Sequence, residues 1–336
     1  MSETRSPAAP RPDIVAPEAP AFGVDGVGYR WGHVFAFAGR REDWQILVTE
    51  VRQALAGLRL AAEEGHPLGR AAQGEAERAF RRARRLLAAE DLETWLADRG
   101  LTVRQWRQHV RGQALRQRHA AELDAVVQRH PPDDAEVDAV VPVWGLCSDA
   151  FLRWARTLAT RGAAAHAVCE QDGAAIPAPD DLEALERLYD RFTAQVATTR
   201  RLERLIGARY LEWLRVECEV AVFPDEDTVR EALLCVREDG WTLVHAARAG
   251  GATLRRRAVL VEDLDDAARA AFVRARDGDL IGPLTFAGGP ALVSVRHKRA
   301  PSLDDDELRT KATRELVATA AEREVNNRVE WHALGT

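Results

Sequence analysis

Lysine is almost missing from this chain: of its 47 lysines and arginines only Lys298 and Lys311 are lysine. With the abundance of alanine, that skew reads as a GC-rich coding sequence rather than a phosphate-binding role. The basic residues are spread along helical stretches and the formal net charge is −6, so no electrostatic footprint for nucleic acid is present. No apolar run is long enough to cross a bilayer. The opening MSETRSPAAPRPDIVAPEAPAFG lacks the basic and apolar regions of a secretory signal, so a soluble, cytoplasmic protein with no membrane partner is expected. Cysteine is sparse, and Cys147, Cys169, Cys218 and Cys235 lack the CxxC spacing of a zinc or redox site. Free, mostly buried thiols follow, with no metal and no cofactor. The glycines between Gly23 and Gly32 fail the GxGxxG spacing of a dinucleotide fingerprint.

What is there is a chain of 336 residues, 46% hydrophobic and 30% charged, whose length favours two or three units over one. Residues 1–21, rich in Pro and Ala, bury too little to offset the cost of ordering and read as a disordered tail. From Gly23 to Phe37, glycine turns mixed with alternating apolar positions suggest one or two short strands. A helical pattern starts at Asp43, with Trp44, Leu47, Val48, Val51, Leu55 and Leu58 on one stripe, and Gly65-His66-Pro67 ends it. Further helices are expected over 72–88, over 90–97 with Gly100 closing it, and from Thr102. There Gln105 completes a candidate capping box, and Trp106, Val110 and Leu115 continue the buried stripe. After His130-Pro131-Pro132 a short helix leads through Val141 to Pro142. A second block begins at Ser148 as N-cap, and a long helix covers 180–215. Residues 217–223 alternate as a strand, 225–237 and 242–248 are helical, and a last helix runs over 304–329.

The stretch 270–309, AAFVRARDGDLIGPLTFAGGPALVSVRHKRAPSLDDDELR, passes from a helix through Asp277-Gly278-Asp279 and Gly282-Pro283 to an apolar strand. Gly288-Gly289-Pro290, a second strand and a charged helix follow. This series resembles the last third of a parvulin-type (PpiC-like) peptidyl-prolyl isomerase domain, whose form reads AxF, GE(I/V)SGP(V/I), GyHIIkV. Within 43–127, LLAAEDLETWLADRGLTVRQWRQHVRGQALRQRH resembles the amino-terminal helical domain of SurA-like chaperones. Together they imply an α+β protein: a mostly helical SurA-like body with a small parvulin-like β-α-β domain inserted before the C-terminal helix. The expected divisions are a tail over 1–21, an amino-terminal helical domain over 22–141 and an additional helical module over 142–215. The parvulin-like domain covers 216–298, and a helix and strand over 299–336 return to the helical body. The resemblance implies that Val329-Glu330-Trp331-His332 pairs as a strand with the Tyr29–Phe37 region.

An active parvulin twists a prolyl bond, whose uncatalysed barrier is about 18–20 kcal/mol, with two buried histidines, a nearby Asp or Cys, and an apolar pocket. In this chain Cys218 or Glu219 occupies the neighbourhood of the first histidine, and Ala291 stands where the second belongs. The loop that brings the acid or thiol is shortened to Ala246-Ala247-Arg248-Ala249-Gly250-Gly251. The pocket Met and Phe fall near Asp263 or Leu264 and at Ala267, while Phe272 matches a structural phenylalanine. The resemblance therefore implies a degenerate member with no catalytic residues of its own.

His245 and His297 match no family position and read as satisfied or exposed histidines. Glu262-Asp263-Leu264-Asp265-Asp266 and Asp304-Asp305-Asp306-Glu307 sit at helix starts, where the dipole favours acids. Arg255-Arg256-Arg257 suits an acidic peptide, although a solvated strand face is the more frequent meaning. The expected function is a peptide-binding chaperone or escort, whose partners are a peptide or unfolded client. By analogy with peptide-maturation accessory proteins, these include a ribosomally made precursor peptide and its modifying enzyme. The alternatives are an active prolyl isomerase with displaced residues, and a scaffold for a modifying enzyme. The candidate contact residues are Trp95, Leu96, Trp106 and Val110 in the first helical domain, and Leu264, Phe272 and Leu292 beside the vestigial cleft.

Overall fold

The computed structural model describes residues 13–65 and 68–332. Its fold is α+β and divides into two compact units, one of Met1–Phe192 with Ala321–Thr336, the other of Thr193–Ala320. As far as residue 12 the expected disordered tail lies outside the described residues, as do His66 and Pro67 of the expected helix break. From residue 13 the chain does not stay loose. A single 3-10 turn, Asp13–Val15, buries Val15 in the first core, and strand β1 begins at Pro20.

In the first unit β1 (Pro20–Val24) and β2 (Val27–Arg30) form a hairpin. Its turn residues, Asp25 and Gly26, both have positive φ, the geometry that suits the twist of a two-residue hairpin. The expected strand does not continue to Phe37. Instead Trp31–Arg40 is helix α1, because the His33 ring accepts the Arg30 N–H at 3.1 Å and Trp31, Val34, Phe37 and Ala38 bury on one face. There follow α2 (Asp43–Glu63), α3 (Arg70–Ala83), α4 (Ala89–Asp98), α5 (Val103–Arg118) and α6 (Leu123–Arg129). Thr102 caps α5 as expected, accepting the Gln105 N–H while the Gln105 amide oxygen accepts the Thr102 N–H.

Pro142 does not end its helix. α7 (Asp134–Cys147) runs through it, and the carbonyl left without a donor belongs to exposed Asp138, four residues back. The expected break between modules at 141 and 142 therefore falls inside one helix. Ser148 caps the end of α7 rather than opening the next helix, and Asp149, with φ of 58°, turns the chain into α8 (Ala150–Asp172). The single long helix expected over 180–215 is two, α9 (Leu182–Val196) and α10 (Thr199–Ala208), since Thr198 leaves the helical region as an N-cap.

The second unit is built on β3 (Arg215–Val222), α11 (Glu226–Arg237), α12 (Leu243–Ala249), β4 (Thr253–Leu260), α13 (Asp266–Arg274), β5 (Leu280–Phe286) and β6 (Gly289–Arg299). Its four strands form an antiparallel sheet in the order β4-β3-β6-β5. Asp225, Thr242 and Asp265 cap their helices, so the acids before α13 do the work their position suggests. Helix α14 (Asp306–Arg328) packs Leu308 and Ala312 against Leu202, Ile206 and Trp213 in this unit. Its last turns belong to the first unit, where Val325 joins the core.

Strand β7 (Val329–Trp331) pairs with β1 and not with the Tyr29–Phe37 region, because β2 holds one edge of β1 and Trp31 onward is helical. The junction is electrostatic as well. The Arg328 guanidinium reaches Asp25 at 2.6 Å, Glu170 at 2.5 Å and Glu324 at 2.9 Å, and its carbonyl accepts the Asp25 N–H at 3.0 Å. The ring of buried His166 lies 3.1 Å from the same Asp25 carboxylate. Burial alone raises the Asp25 pKa, but Arg328 and His166 outweigh it and hold the carboxyl below its usual value.

Two outcomes follow from the first core. A Cβ on Gly145 would lie 2.3 Å from the Phe151 ring, which Trp31, Phe35, Trp44 and Trp154 enclose. Gly145→Ala gains about 1 kcal/mol of helix propensity but overpacks a ring with no room to turn. At about 2–3 kcal/mol the clash wins, and urea unfolding should show a net loss of about 1–2 kcal/mol. His109 is buried between Phe80 and Trp144, and burial pushes its pKa down to about 3, with Arg84 and Arg116 adding to the shift. The unfolded chain takes up a proton near pH 6.5 that the folded chain refuses. Stability from this group is therefore complete above that pH and is lost as pH falls towards 3, by up to about 1.4 kcal/mol per pH unit. Urea titrations between those pH values should show a steeper loss for the native chain than for His109→Leu; equal slopes would place His109 in contact with solvent.

Candidate peptide-binding site

Alternation along β3 decides which side chains meet on each face of the second unit's sheet. Val216, Cys218 and Val220 turn to one face, where they pack with Ala291, Val293 and Val295 of β6 beneath Leu264, Ala268 and Phe272 around α13. This is the face where the parvulin resemblance places the histidine pair and the proline pocket. It is filled: Phe272, Ala291 and Val293 are fully buried, and the one titratable group among them is the Cys218 thiol, whose pKa burial pushes up to about 11. Basic groups border it: the Lys298 amine donates to the Val273 carbonyl of α13 at 2.9 Å, and Arg257 lies opposite Cys218. Ala267, expected at the pocket phenylalanine, is exposed; Ala268 takes the inward position.

Glu219, one residue on, turns to the opposite face with Ala221. Part of that face is covered by α11 and α12, which pack Val229, Leu233, Leu243 and Ala246 over Ala221, Phe223 and Leu292. The rest is charged. The Glu219 side chain is only 6% exposed and is held by Arg256 of β4 at 3.1 Å and by Arg296 of β6. The bond from Arg296 is the main reason that its carboxyl sits below the usual pKa, and Arg256 adds to it against the opposing effect of burial. A cleft of about 580 Å³ opens along these strands, lined by Glu217, Cys218, Glu219, Arg256, Arg257, Ala258 and Arg296, so residues of both faces border it. The choice left open between Cys218 and Glu219 is thus a choice of face: only Cys218 looks towards α13.

The seven candidate contacts are all in cores. Trp95, Leu96, Trp106 and Val110 are buried in the first unit, where the Phe80 ring lies 5.5 Å from Trp95 and 5.9 Å from Trp106. The guanidinium of Arg99 lies 4.2 Å from the Trp95 ring, and that of Arg84 3.9 Å from Phe80. Both arginines bind Asp149, at 3.4 and 3.0 Å, so the aromatic cluster is closed by paired cations. Leu264 and Phe272 share the α13 face, but Leu292 lies on the other one with α11 and α12, since it falls between Ala291 and Val293. The three therefore do not form one cleft.

Surface apolar groups lie elsewhere and escaped the sequence reading. Ile46, on α2, is 59% exposed. It lies between a cleft of about 490 Å³ along α2 and one of about 290 Å³ shared with the start of α8, whose linings have Ile46 and Glu50 in common. Leu47 and Trp154 belong to the second lining, and Arg41, Asp43 and Arg153 give it a polar rim. The signal was present as Ile46 standing off the Leu47–Val51–Leu55 stripe, a position periodicity assigns to solvent. His245 stacks on Trp241 at 4.2 Å, and exposed His297 bonds Asp277 at 3.1 Å; neither enters a site. Among the described residues no helix is long and apolar enough to cross a membrane, and no group of three His, Cys, Asp or Glu could hold a metal ion.

No family model matches the sequence, and no curated protein matches it. Solved structures do. PrsA from Bacillus subtilis is similar over 63% of this chain and 80% of its own at 15% identity, with a TM-score of 0.21. A SurA-like chaperone of Campylobacter jejuni is similar over 94% of this chain and 99% of its own at 8% identity, with a TM-score of 0.21. The foldase protein PrsA from Lactococcus lactis is similar over 94% of this chain and 95% of its own at 9% identity, with a TM-score of 0.29.

Proposed function

We propose that this protein is a peptide-binding chaperone or escort whose parvulin-type unit keeps its frame without isomerase chemistry. It serves, on this reading, the maturation of a ribosomally made precursor peptide in the cytoplasm, alongside the enzyme that modifies it. The observation that carries the proposal is the filled sheet face. The order β4-β3-β6-β5 leaves the two central strands side by side, yet Cys218, Val220, Ala291 and Val293 stand where acid–base groups and a ring pocket belong. A neutral thiol and three aliphatic chains cannot support a twisted amide, so the function left to such a unit is holding chain. The precursor-peptide client rests on the resemblance to accessory proteins of peptide maturation.

The surface fitted to an unfolded segment is the pair of clefts around Ile46 in the first unit. Apolar groups at their floor and charges at their rim are the usual composition of a peptide groove. Burying one such aliphatic anchor contributes about 1.5–3 kcal/mol, enough for more than tenfold in affinity.

Light scattering from an unfolding client protein tests this. The full chain should suppress scattering in proportion to its concentration, and Ile46→Arg, which alters only an exposed position, should need about tenfold more protein for the same effect. Equal suppression by the variant would move the client site away from α2, and no suppression by the native chain would end the chaperone reading.

A further inference from the structure

Strand β4 is an edge of its sheet: all eight of its residues pair with β3, in unbroken register from Thr253 opposite Val222 to Leu260 opposite Arg215. Every second residue therefore directs its N–H and C=O away from the sheet, with no strand to receive them among the described residues. Natural edges are blunted by bulges, by proline or by a covering element. This one has neither bulge nor proline, and it carries Arg255, Arg256 and Arg257, all exposed, at its centre.

The three arginines differ. Arg256 lies on the Glu219 face and its charge is taken up by that carboxylate at 3.1 Å. Arg255 and Arg257 lie opposite Val220 and Cys218, hence on the other face, and neither has an ion-pair partner among the described residues. Alternate residues of a strand are about 6.8 Å apart, which is also the spacing of alternate side chains in a strand laid alongside. Like charges facing across a strand pair are unfavourable and opposite charges are favourable. The edge thus repels basic strands and attracts acidic ones.

We infer that the outer edge of β4 binds an extended peptide segment by strand addition, and that the segment carries two carboxylates at alternate positions, facing Arg255 and Arg257. The residue between them points to the Arg256 side, where Arg256 is already held by Glu219. The recognised pattern therefore needs acids only at the two alternate positions. This deepens the proposed peptide-binding function and rests on it: it assigns a client chemistry to the second unit, separate from the groove around Ile46.

Fluorescence anisotropy with the full chain and labelled heptapeptides of alternating Asp and Val tests it. Binding should weaken about tenfold for a peptide with its acids on consecutive positions, and about tenfold again for one N-methylated on alternate amides, which cannot pair with an edge. Raising NaCl from about 0.05 to about 0.5 M should weaken it several-fold. The double variant Arg255→Glu, Arg257→Glu changes only exposed side chains; it should lose the Asp peptide and gain the matching alternating Lys–Val peptide. Ile46→Arg should bind the Asp peptide like the native chain. Unchanged affinity in the double variant, or equal binding of the N-methylated peptide, overturns the inference. If the Asp peptide does not bind while Ile46-dependent suppression of client aggregation persists, the inference fails alone; if both are absent, the proposed function fails with it.

Discussion

One guanidinium ties the two ends of the first unit together. Arg328 binds carboxylates from the β1–β2 turn, from α8 and from its own helix, and the strand that follows it completes the small sheet on β1. Because those groups come from positions 25, 170 and 324, the intervening second unit is an insertion whose exit must bring α14 back to where the chain began. The contact is partly buried, so losing the cation would leave Asp25 and His166 facing each other without the charge that fixes them. The hydrophobic half of the same junction is Phe22, whose ring lies 4.7 Å from Tyr29 and 5.6 Å from Trp331.

In the second unit the governing constraint is the two-residue period of a strand. β3 reads Glu217, Cys218, Glu219, Val220, Ala221, and the period sends both glutamates away from α13. With the aliphatic residues of β6 opposite, the α13 face closes into an ordinary core. The charged residues collect on the other face and at the β4 edge, where Glu219 is satisfied by Arg256 and Arg296 and Glu217 by Arg299 at 3.2 Å. The aliphatic face and the charged rim both follow from the same alternation.

Local signals told most of the helical order. The Thr102–Gln105 cap, the Gly100 turn at φ 59° and the stripe of α2 all stand as their residues suggest. What misled was competition between local and tertiary effects. The glycines and alternation of 23–37 suit a strand, but Trp31, Val34 and Phe37 have a helical spacing that the aromatic core around Phe151 rewards. Pro142 ends helices in isolation, yet here its missing N–H costs little at a solvated turn. The tryptophans chosen as contacts were legible as a stripe but not as a closed one, because Arg84, Arg99 and Asp149, which seal it, are far apart in sequence. The same distance hid the Glu219–Arg256–Arg296 cluster. Its sequence sign was the glutamates alternating with apolar residues along β3.

The claim at the centre of this account is that the protein holds prolyl chain without turning it. Exchange NMR on a labelled proline-containing client, recorded with and without the full chain, measures both parts in one sample. The account expects resonances of the client to shift and broaden on binding while the cis–trans exchange rate stays at its uncatalysed value. Binding accompanied by accelerated exchange would contradict it, and would return acid–base chemistry to the face now occupied by Cys218, Val220, Ala291 and Val293.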